Sequence, residues 1–228
     1  MLTLPLYVLL PAAVARRLGR QGIMRGFRCY ARWLSLIGAY RLDLSAIDQL
    51  RGGPPLILAP NHPSLIDALL ILTRHPNIAC VMKSELMANP LLGPGARLAR
   101  YIRNHSTRQM VREAVHDLRA GGVLLLFPEG TRTVRAPLSP LKKSVAVIAR
   151  RARVPVQTLI IEIDSPFLSK GWPLPARPSL PVTYRVRLGR RFDPPQDGAR
   201  FMRELEQYYR SELQGSTAAQ WAATPTRR

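Results

Sequence analysis

Short apolar runs, each closed off by glycine or proline, alternate along the chain with stretches whose apolar positions recur every three or four residues. Pro55 to Ala59 is continuously apolar, with Gly52-Gly53-Pro54 before it and Pro60 after, which predicts a strand buried on both faces. Ser64 to Arg74 then places Leu65, Leu69 and Leu72 on one helical stripe, with Ser64 as its start. Downstream the order is helix, then strand. Val111, Val115 and Leu118 mark a helix stopped by Gly121-Gly122, and Val123 to Phe127 is a second buried strand. Leu141 to Arg153 reads as a helix and Val154 to Ile163 as a strand. Residues 166–181 are Pro-rich and irregular, Thr183 to Leu188 alternates as a strand does, and Gly198 to Leu213 is a closing helix. Strands separated by helices predict a single α/β domain, a mainly parallel sheet flanked by helices, over 41–214. Residues 215–228 are small and polar, a frayed tail.

The first forty residues have a different pattern. Residues 1–15 carry no charged side chain, yet as a helix they reach only roughly 22 Å, short of a hydrocarbon core of roughly 30 Å. No basic side chain precedes them, which disfavours a signal peptide. Further on, Ile23, Phe27, Tyr30, Leu34 and Ile37 recur at helical spacing, while Arg25, Arg28 and Arg32 take another face. A helix lying in the headgroup region and a helix packed on a core share this stripe. The arginine run weighs toward a membrane-interfacial element over 1–40, peripheral on the cytoplasmic face. Removal of 1–20 is expected to weaken membrane binding and leave a folded domain.

Charge sharpens this picture. The 228 residues, enough for one sizeable core, hold 34 basic and 14 acidic side chains, a net charge of +20. The basic residues cluster: six arginines between Arg16 and Arg32, then Arg97, Arg100, Arg103, Arg108 and Arg112. Such a field suits an anionic membrane surface, a phosphorylated substrate, an acidic carrier protein or nucleic acid. Aromatics are only 7% of residues and do not interleave with the basic groups, and no nucleic-acid-binding signature is visible, so no specific nucleic-acid partner is expected. Cys29 and Cys80 have no metal or redox spacing, and Cys80 in an apolar run reads as a buried thiol.

The two buried strands are each followed by chemistry. After the first comes Asn61-His62-Pro63-Ser64, with Asp67 five residues beyond the histidine. A carboxylate in the first helical turn can accept a hydrogen bond from one imidazole nitrogen and leave the other free as a base. A packing histidine beside a helix-start aspartate has the same spacing. His75, His105 and His116 lack any such setting. After the second strand comes Pro128-Glu129-Gly130-Thr131-Arg132, a turn that offers close backbone approach, a hydroxyl and a bidentate guanidinium. In parallel sheets ligands bind beyond the carboxyl ends of strands, so both motifs are expected at one edge.

Asn-His-x-x-x-x-Asp followed by Phe-Pro-Glu-Gly-Thr-Arg resembles the glycerolipid acyltransferase family, whose best-known members are lysophosphatidate (1-acylglycerol-3-phosphate) acyltransferases. Lys83-x-Glu85-Leu86-x-x-x-Pro90-x-x-Gly93 and Val154-Pro155-Val156 are similar to two further blocks of that family, and the resemblance runs from about Pro55 to Ile163. It implies acyl transfer from a thioester, acyl-CoA or acyl carrier protein, to a lipid hydroxyl without a cofactor or metal. It also implies His62 as general base, Asp67 as its partner, and Glu129, Gly130, Thr131 and Arg132 as acceptor-binding residues. The chain departs from the family after the second block. A glycine followed by Ile-Asp-Arg is expected there, and Arg100-Tyr101-Ile102-Arg103-Asn104 stands instead. Lys83, Arg100 and Arg103 are therefore further candidates for the acceptor's head. Three functions follow: lysophosphatidate acylation in phospholipid biosynthesis, acylation of another lipid acceptor such as a lysolipid or glycolipid, and non-catalytic binding of membrane or nucleic acid.

Overall fold

The computed structural model describes residues 11–214 except 91, 136 and 174, so the frayed tail expected over 215–228 and the first ten residues lie outside the described residues. A seven-stranded sheet forms the centre. Its strands are β1 (Tyr40–Asp43), β2 (Ile57–Pro60), β3 (Ile78–Met82), β4 (Ile102–Arg103), β5 (Val123–Leu125), β6 (Val156–Ile163) and β7 (Val182–Phe192). They lie side by side as β1-β7-β6-β2-β5-β3-β4. Every neighbouring pair is parallel except β6 and β7, which are antiparallel. The expected mainly parallel α/β sheet is present. Helices α1 (Ala12–Leu36), α2 (Asp67–Leu72), α3 (Ser84–Ala88), α4 (Gly93–Leu98), α5 (Thr107–Arg119), α6 (Ser144–Ala152) and α7 (Gly198–Leu213) flank it.

The position of β2 explains its composition. It runs between β6 and β5, all four of its residues buried. Leu56 and Leu58 enter one core with Leu34, Leu70 and Tyr184. Ile57 and Ala59 enter another with Val111, Ile148 and Leu205. With apolar neighbours on both faces, alternation serves no purpose and the strand is continuously apolar. The orientation of β7 then gathers the loops. Because β7 opposes β6, the starts of β7 and β1 share an edge with the ends of β2 through β6. We call this the carboxyl edge.

Several boundaries shift for local reasons. Helix α7 has the expected bounds, and Asp197 caps it by accepting from Ala199 N–H at 2.8 Å and Arg200 N–H at 3.2 Å. Helix α2 begins at Asp67 rather than Ser64, because Ser64 to Asp67 forms a tighter turn, Asp67 N–H donating to Ser64 O at 3.4 Å, and the first helical bond is Leu70 N–H to Ile66 O at 3.0 Å. Helix α6 begins at Ser144: its first bond is Val147 N–H to Lys143 O at 3.2 Å, and Lys142 before it belongs to the motif turn, its N–H donating to Pro128 O at 2.7 Å. Strand β7 continues to Phe192, well past the alternating stretch, by pairing with the whole of β6.

Over its described part, the N-terminal element is packed on the domain. A Cβ at Gly19 would sit 2.4 Å from Ala99 N, so only glycine lets α1 approach the end of α4. Next to it, Arg20 is 2% exposed, and its guanidinium donates to Ala99 O, Asn77 Oδ1 and Asp117 Oδ1, the last at 2.6 Å. Of the expected stripe, Leu34 is buried and Ile23 and Phe27 pack against the core, whereas Tyr30 and Ile37 are exposed. The expectation that removal of 1–20 leaves the folded domain intact therefore needs correction. Loss of Arg20 would strand the Asp117 charge inside, a change that typically destabilises by about 3–5 kcal/mol. Among the described residues no helix is long and apolar enough to cross a membrane. Cys80 is a buried thiol, its pKa pushed up to about 12 by burial, and Cys29 is exposed.

Candidate active site

Strand β2 ends at Pro60 and hands the chain to a turn fixed from both sides. Asn61 is buried against β6: its Nδ2 donates to Ile161 O at 3.1 Å, and its Oδ1 accepts from Ile161 N–H at 2.7 Å. His62 follows, and its Nδ1 lies 2.7 Å from Asp67 Oδ2. Asp67 is 0% exposed, yet each oxygen is satisfied. Oδ2 also accepts from Ser64 N–H at 2.9 Å, and Oδ1 accepts from the Tyr184 hydroxyl at 2.7 Å. Three donors make an ionised carboxylate tolerable where water cannot reach it. Burial first, then the Asp67 charge, pushes the Tyr184 pKa well above its ordinary value, so the phenol keeps its proton and remains a donor.

This arrangement selects the imidazole tautomer. A carboxylate can only accept, so the proton sits on Nδ1 and the lone pair on Nε2. The ring lies flat on Phe127, centroids 3.8 Å apart and planes 24° apart. Its side chain keeps 15% exposure, enough to meet a small reacting group. A hydroxyl arriving at Nε2 can lose its proton there, and the imidazolium that forms faces the Asp67 carboxylate.

The second motif leaves β5 and meets the first. Glu129, expected to contact an acceptor, is buried and turned inward instead. Its Oε1 accepts from His62 N–H at 3.2 Å and from Thr133 Oγ1 at 2.7 Å, while Oε2 accepts from Ser139 N–H at 2.8 Å. Thr133 N–H in turn donates to His62 O at 2.7 Å. Glu129 thus ties the two motif loops together, and a carboxylate would repel a phosphate in any case. Gly130 has φ 70°, and a Cβ there would meet Lys142 Cγ at 3.3 Å. Thr131 and Arg132 are half-buried beside it. Arg132 Nη1 donates to Leu168 O and Ser169 O, each at 2.9 Å, and Leu65 N–H also reaches Leu168 O at 3.0 Å. The segment after β6 is therefore held by both motifs and walls one side of the histidine turn.

The outer candidates divide. Lys83 follows the end of β3 and is exposed at the carboxyl edge. Arg103 pairs in register with Met82 and lies at the same edge, three strands from β2, or roughly 14 Å at ordinary strand spacing. Arg100 is not brought there. It follows Ala99, whose carbonyl is held by Arg20 together with Asn77 just before β3, at the opposite edge. Its φ of 52° marks the left-handed turn that ends α4 and redirects the chain into β4.

Sequence reasoning missed Tyr184, Phe127, Asn61 and Thr133 as parts of this site. Tyr184 lies 117 residues from Asp67 and carried one signal, an inward position in an alternating strand, which every core tyrosine shares. Phe127 and Asn61 stand inside the motifs, but stacking and cross-strand clamping have no signature in spacing.

The chain matches the family model described as Acyltransferase over residues 41–162, more than half its length. It is 33% identical over 112 residues to a 1-acyl-sn-glycerol-3-phosphate acyltransferase of Limnanthes alba, a stretch covering 46% of this chain and 40% of that protein. The match therefore spans less than half of that relative. A protein of the same name from Pseudomonas aeruginosa is 23% identical over 185 residues, covering 78% of this chain and 70% of that one. A lyso-ornithine lipid O-acyltransferase of Brucella abortus is 29% identical over 114 residues, 48% of this chain and 42% of that one. The solved 1-acyl-sn-glycerophosphate (LPA) acyltransferase PlsC from Thermotoga maritima has the same fold, with a TM-score of 0.70 at 21% identity, covering 99% of this chain and 89% of that one.

Proposed function

Because the chain belongs to the Acyltransferase family, we propose that it moves a fatty acyl group from an acyl thioester to the free hydroxyl of a lysolipid, 1-acylglycerol-3-phosphate first. One observation carries the reading: His62 is held by a buried, fully satisfied Asp67 with Nε2 left free at the carboxyl edge. His62 Nε2 takes the hydroxyl proton as the oxygen attacks the thioester carbonyl. The tetrahedral adduct collapses, the carbon–sulfur bond breaks, and the thiolate leaves with the proton from the imidazolium. Asp67 stabilises that imidazolium in both steps. General base catalysis of this kind supplies roughly 10²–10⁴-fold, so positioning of the two substrates must supply much of the rest.

Acyl-CoA or an acidic acyl carrier protein is the donor, and the net charge of +20 favours either. The same field supports work at the cytoplasmic face of an anionic membrane, without a span through it. For the acceptor's phosphate, Arg132 and, farther out, Arg103 and Lys83 offer cations on the correct edge. A second reading, another lysolipid as acceptor, is favoured by the position of Arg100 away from that edge and by the likeness to a lyso-ornithine lipid enzyme. The test is thiol release by the purified chain with acyl-CoA and acyl carrier protein donors against lysophosphatidate, lyso-ornithine lipid and monoacylglycerol. The expected result is acceptor-dependent release with the highest kcat/KM for lysophosphatidate. No acceptor-dependent release with either donor overturns acyl transfer; preference for another lysolipid establishes the second reading.

A further inference from the structure

A second basic site lies on the far side of α2 from the catalytic pair. While Asp67 opens this helix at the histidine, Thr73 and Arg74 follow its other end and line an open groove of about 560 Å³. The second half of α1, the start of the chain beyond β1, and the 3-10 turn Ser45–Leu50 complete its walls. Four guanidiniums line it, those of Arg28, Arg32, Arg51 and Arg74, against the single carboxylate of Asp48. Like charges gathered this closely repel one another, and burial together with the neighbouring arginines lowers the Arg28 pKa below its ordinary value.

The fold nevertheless holds three of these cations in place. Arg28 Nε and Nη2 donate to Thr73 O at 3.1 and 3.0 Å. Arg51 donates to Arg74 O and pairs with Asp48 Oδ1 at 2.9 Å, while Arg74 Nη2 pairs with the other Asp48 oxygen. Donor capacity is left over. Among the described residues, the buried Arg74 Nε has no hydrogen-bond partner and the exposed Arg32 bonds none. Two guanidiniums anchored on backbone carbonyls, a third paired with Asp48 and a fourth exposed beside them form a receptor for an oxyanion, because an arriving phosphate supplies the missing negative charge and further acceptors.

The walls identify the source of that phosphate. Leu36 lines the groove and is 85% exposed, and Leu42 and Leu44 line it beside the arginines. Trp33 and Ile37 are exposed on the same end of α1. This end leads directly into Tyr40, at the start of β1 on the carboxyl edge. Free phosphate gains nothing from exposed leucine and tryptophan, whereas a lipid presents phosphate and hydrocarbon together. We propose that this groove binds the headgroup phosphate of an anionic phospholipid, with Leu36 and its exposed neighbours entering the acyl region, at a site separate from the one around His62.

Binding can be read without turnover, so failure here leaves the acyl-transfer reading standing, and the reverse also holds. The full chain is sedimented with phosphatidylcholine vesicles that contain or lack phosphatidylglycerol. Arg32→Gln and Leu36→Asp change exposed side chains, and unchanged thermal melts should show that both variants fold. Arg25→Gln is the matched control, since it removes one charge from an exposed position on the same helix outside the groove. We expect Arg32→Gln to weaken binding to phosphatidylglycerol vesicles about fivefold, as for loss of one cation near an anionic surface, and Arg25→Gln to have clearly less effect. Leu36→Asp should weaken it at least as much as Arg32→Gln. Soluble dihexanoyl phosphatidylglycerol should compete with the vesicles where inorganic phosphate at equal concentration does not. Equal losses in Arg32→Gln and Arg25→Gln would reduce the groove to a diffuse basic field, and equal competition by inorganic phosphate would make it a free-anion site. Either result overturns the proposal.

Discussion

The proposed catalytic pair and the outer cations of the rim are built on opposite plans. Asp67 is fully buried with both oxygens satisfied, and its partner His62 has one nitrogen held and one presented. Arg103 and Lys83, by contrast, are exposed, and they occupy the rim because the strands end there. The difference is one of dielectric. Inside, a misplaced or unpaired group is heavily penalised, so geometry is fixed to a single arrangement. On the rim, solvent screens each charge and the arrangement is loose. The reaction is thus expected to be sensitive to single atoms at the pair, and the acceptor preference to respond in small increments at the rim.

The largest break in this comparison comes from His62→Ala. It should fold normally, since the ring is partly exposed on a turn, and lose at least about a hundredfold in kcat. Near-wild-type thiol release from a pure acyl thioester would remove the pair from the mechanism. Tyr184→Phe asks whether burial is what makes the pair rigid. It leaves Asp67 Oδ1 without a donor, so stability should fall by about 1.5–3 kcal/mol, the range for a buried hydrogen bond to a charged group. Turnover should also fall, by less than in His62→Ala, with KM for acceptor unmoved; a melt and a rate both at wild-type values would show that the phenol is a bystander.

The smallest effect should come from the rim. Arg103→Ala is expected to raise KM for lysophosphatidate about two- to fivefold without changing kcat, the scale of an exposed ion pair. Arg100→Ala should leave KM for that acceptor unchanged, because Arg100 stands at the opposite edge. An equal response of the two, in a titration against lysophosphatidate, would erase the distinction the sheet draws between them.

The same division governs how far the residues alone could be read. The buried strands β2 and β5 declare themselves because continuous burial demands continuous apolarity, and the two motifs follow from where such strands end. Helix α7 shows its bounds through its apolar stripe. Arg100 misleads because it is itself the left-handed residue that ends α4, and two arginines three apart look equivalent until the strand register is known. Helix α1 misleads for another reason. Its stripe serves the core through Leu34 and solvent through Ile37, and periodicity does not distinguish the two. Glu129 reads as a ligand-binding carboxylate in a conspicuous turn, and only its three internal donors show that it binds the loops instead.

Gly19 and Arg20 carry a consequence for motion. With the backbone of α1 seated on Ala99 and a guanidinium keyed between Asn77 and Asp117, the helix has no hinge against the sheet at that point. A surface that grips the outer end of α1 therefore sets the pitch and roll of the whole catalytic edge with it. With α1 held by such a surface, His62 would keep its place relative to the helix, and the substrate hydroxyl would have to be brought to the imidazole. On the proposed lipid docking, the angle at which this helix meets the lipid would set how far that hydroxyl has to rise.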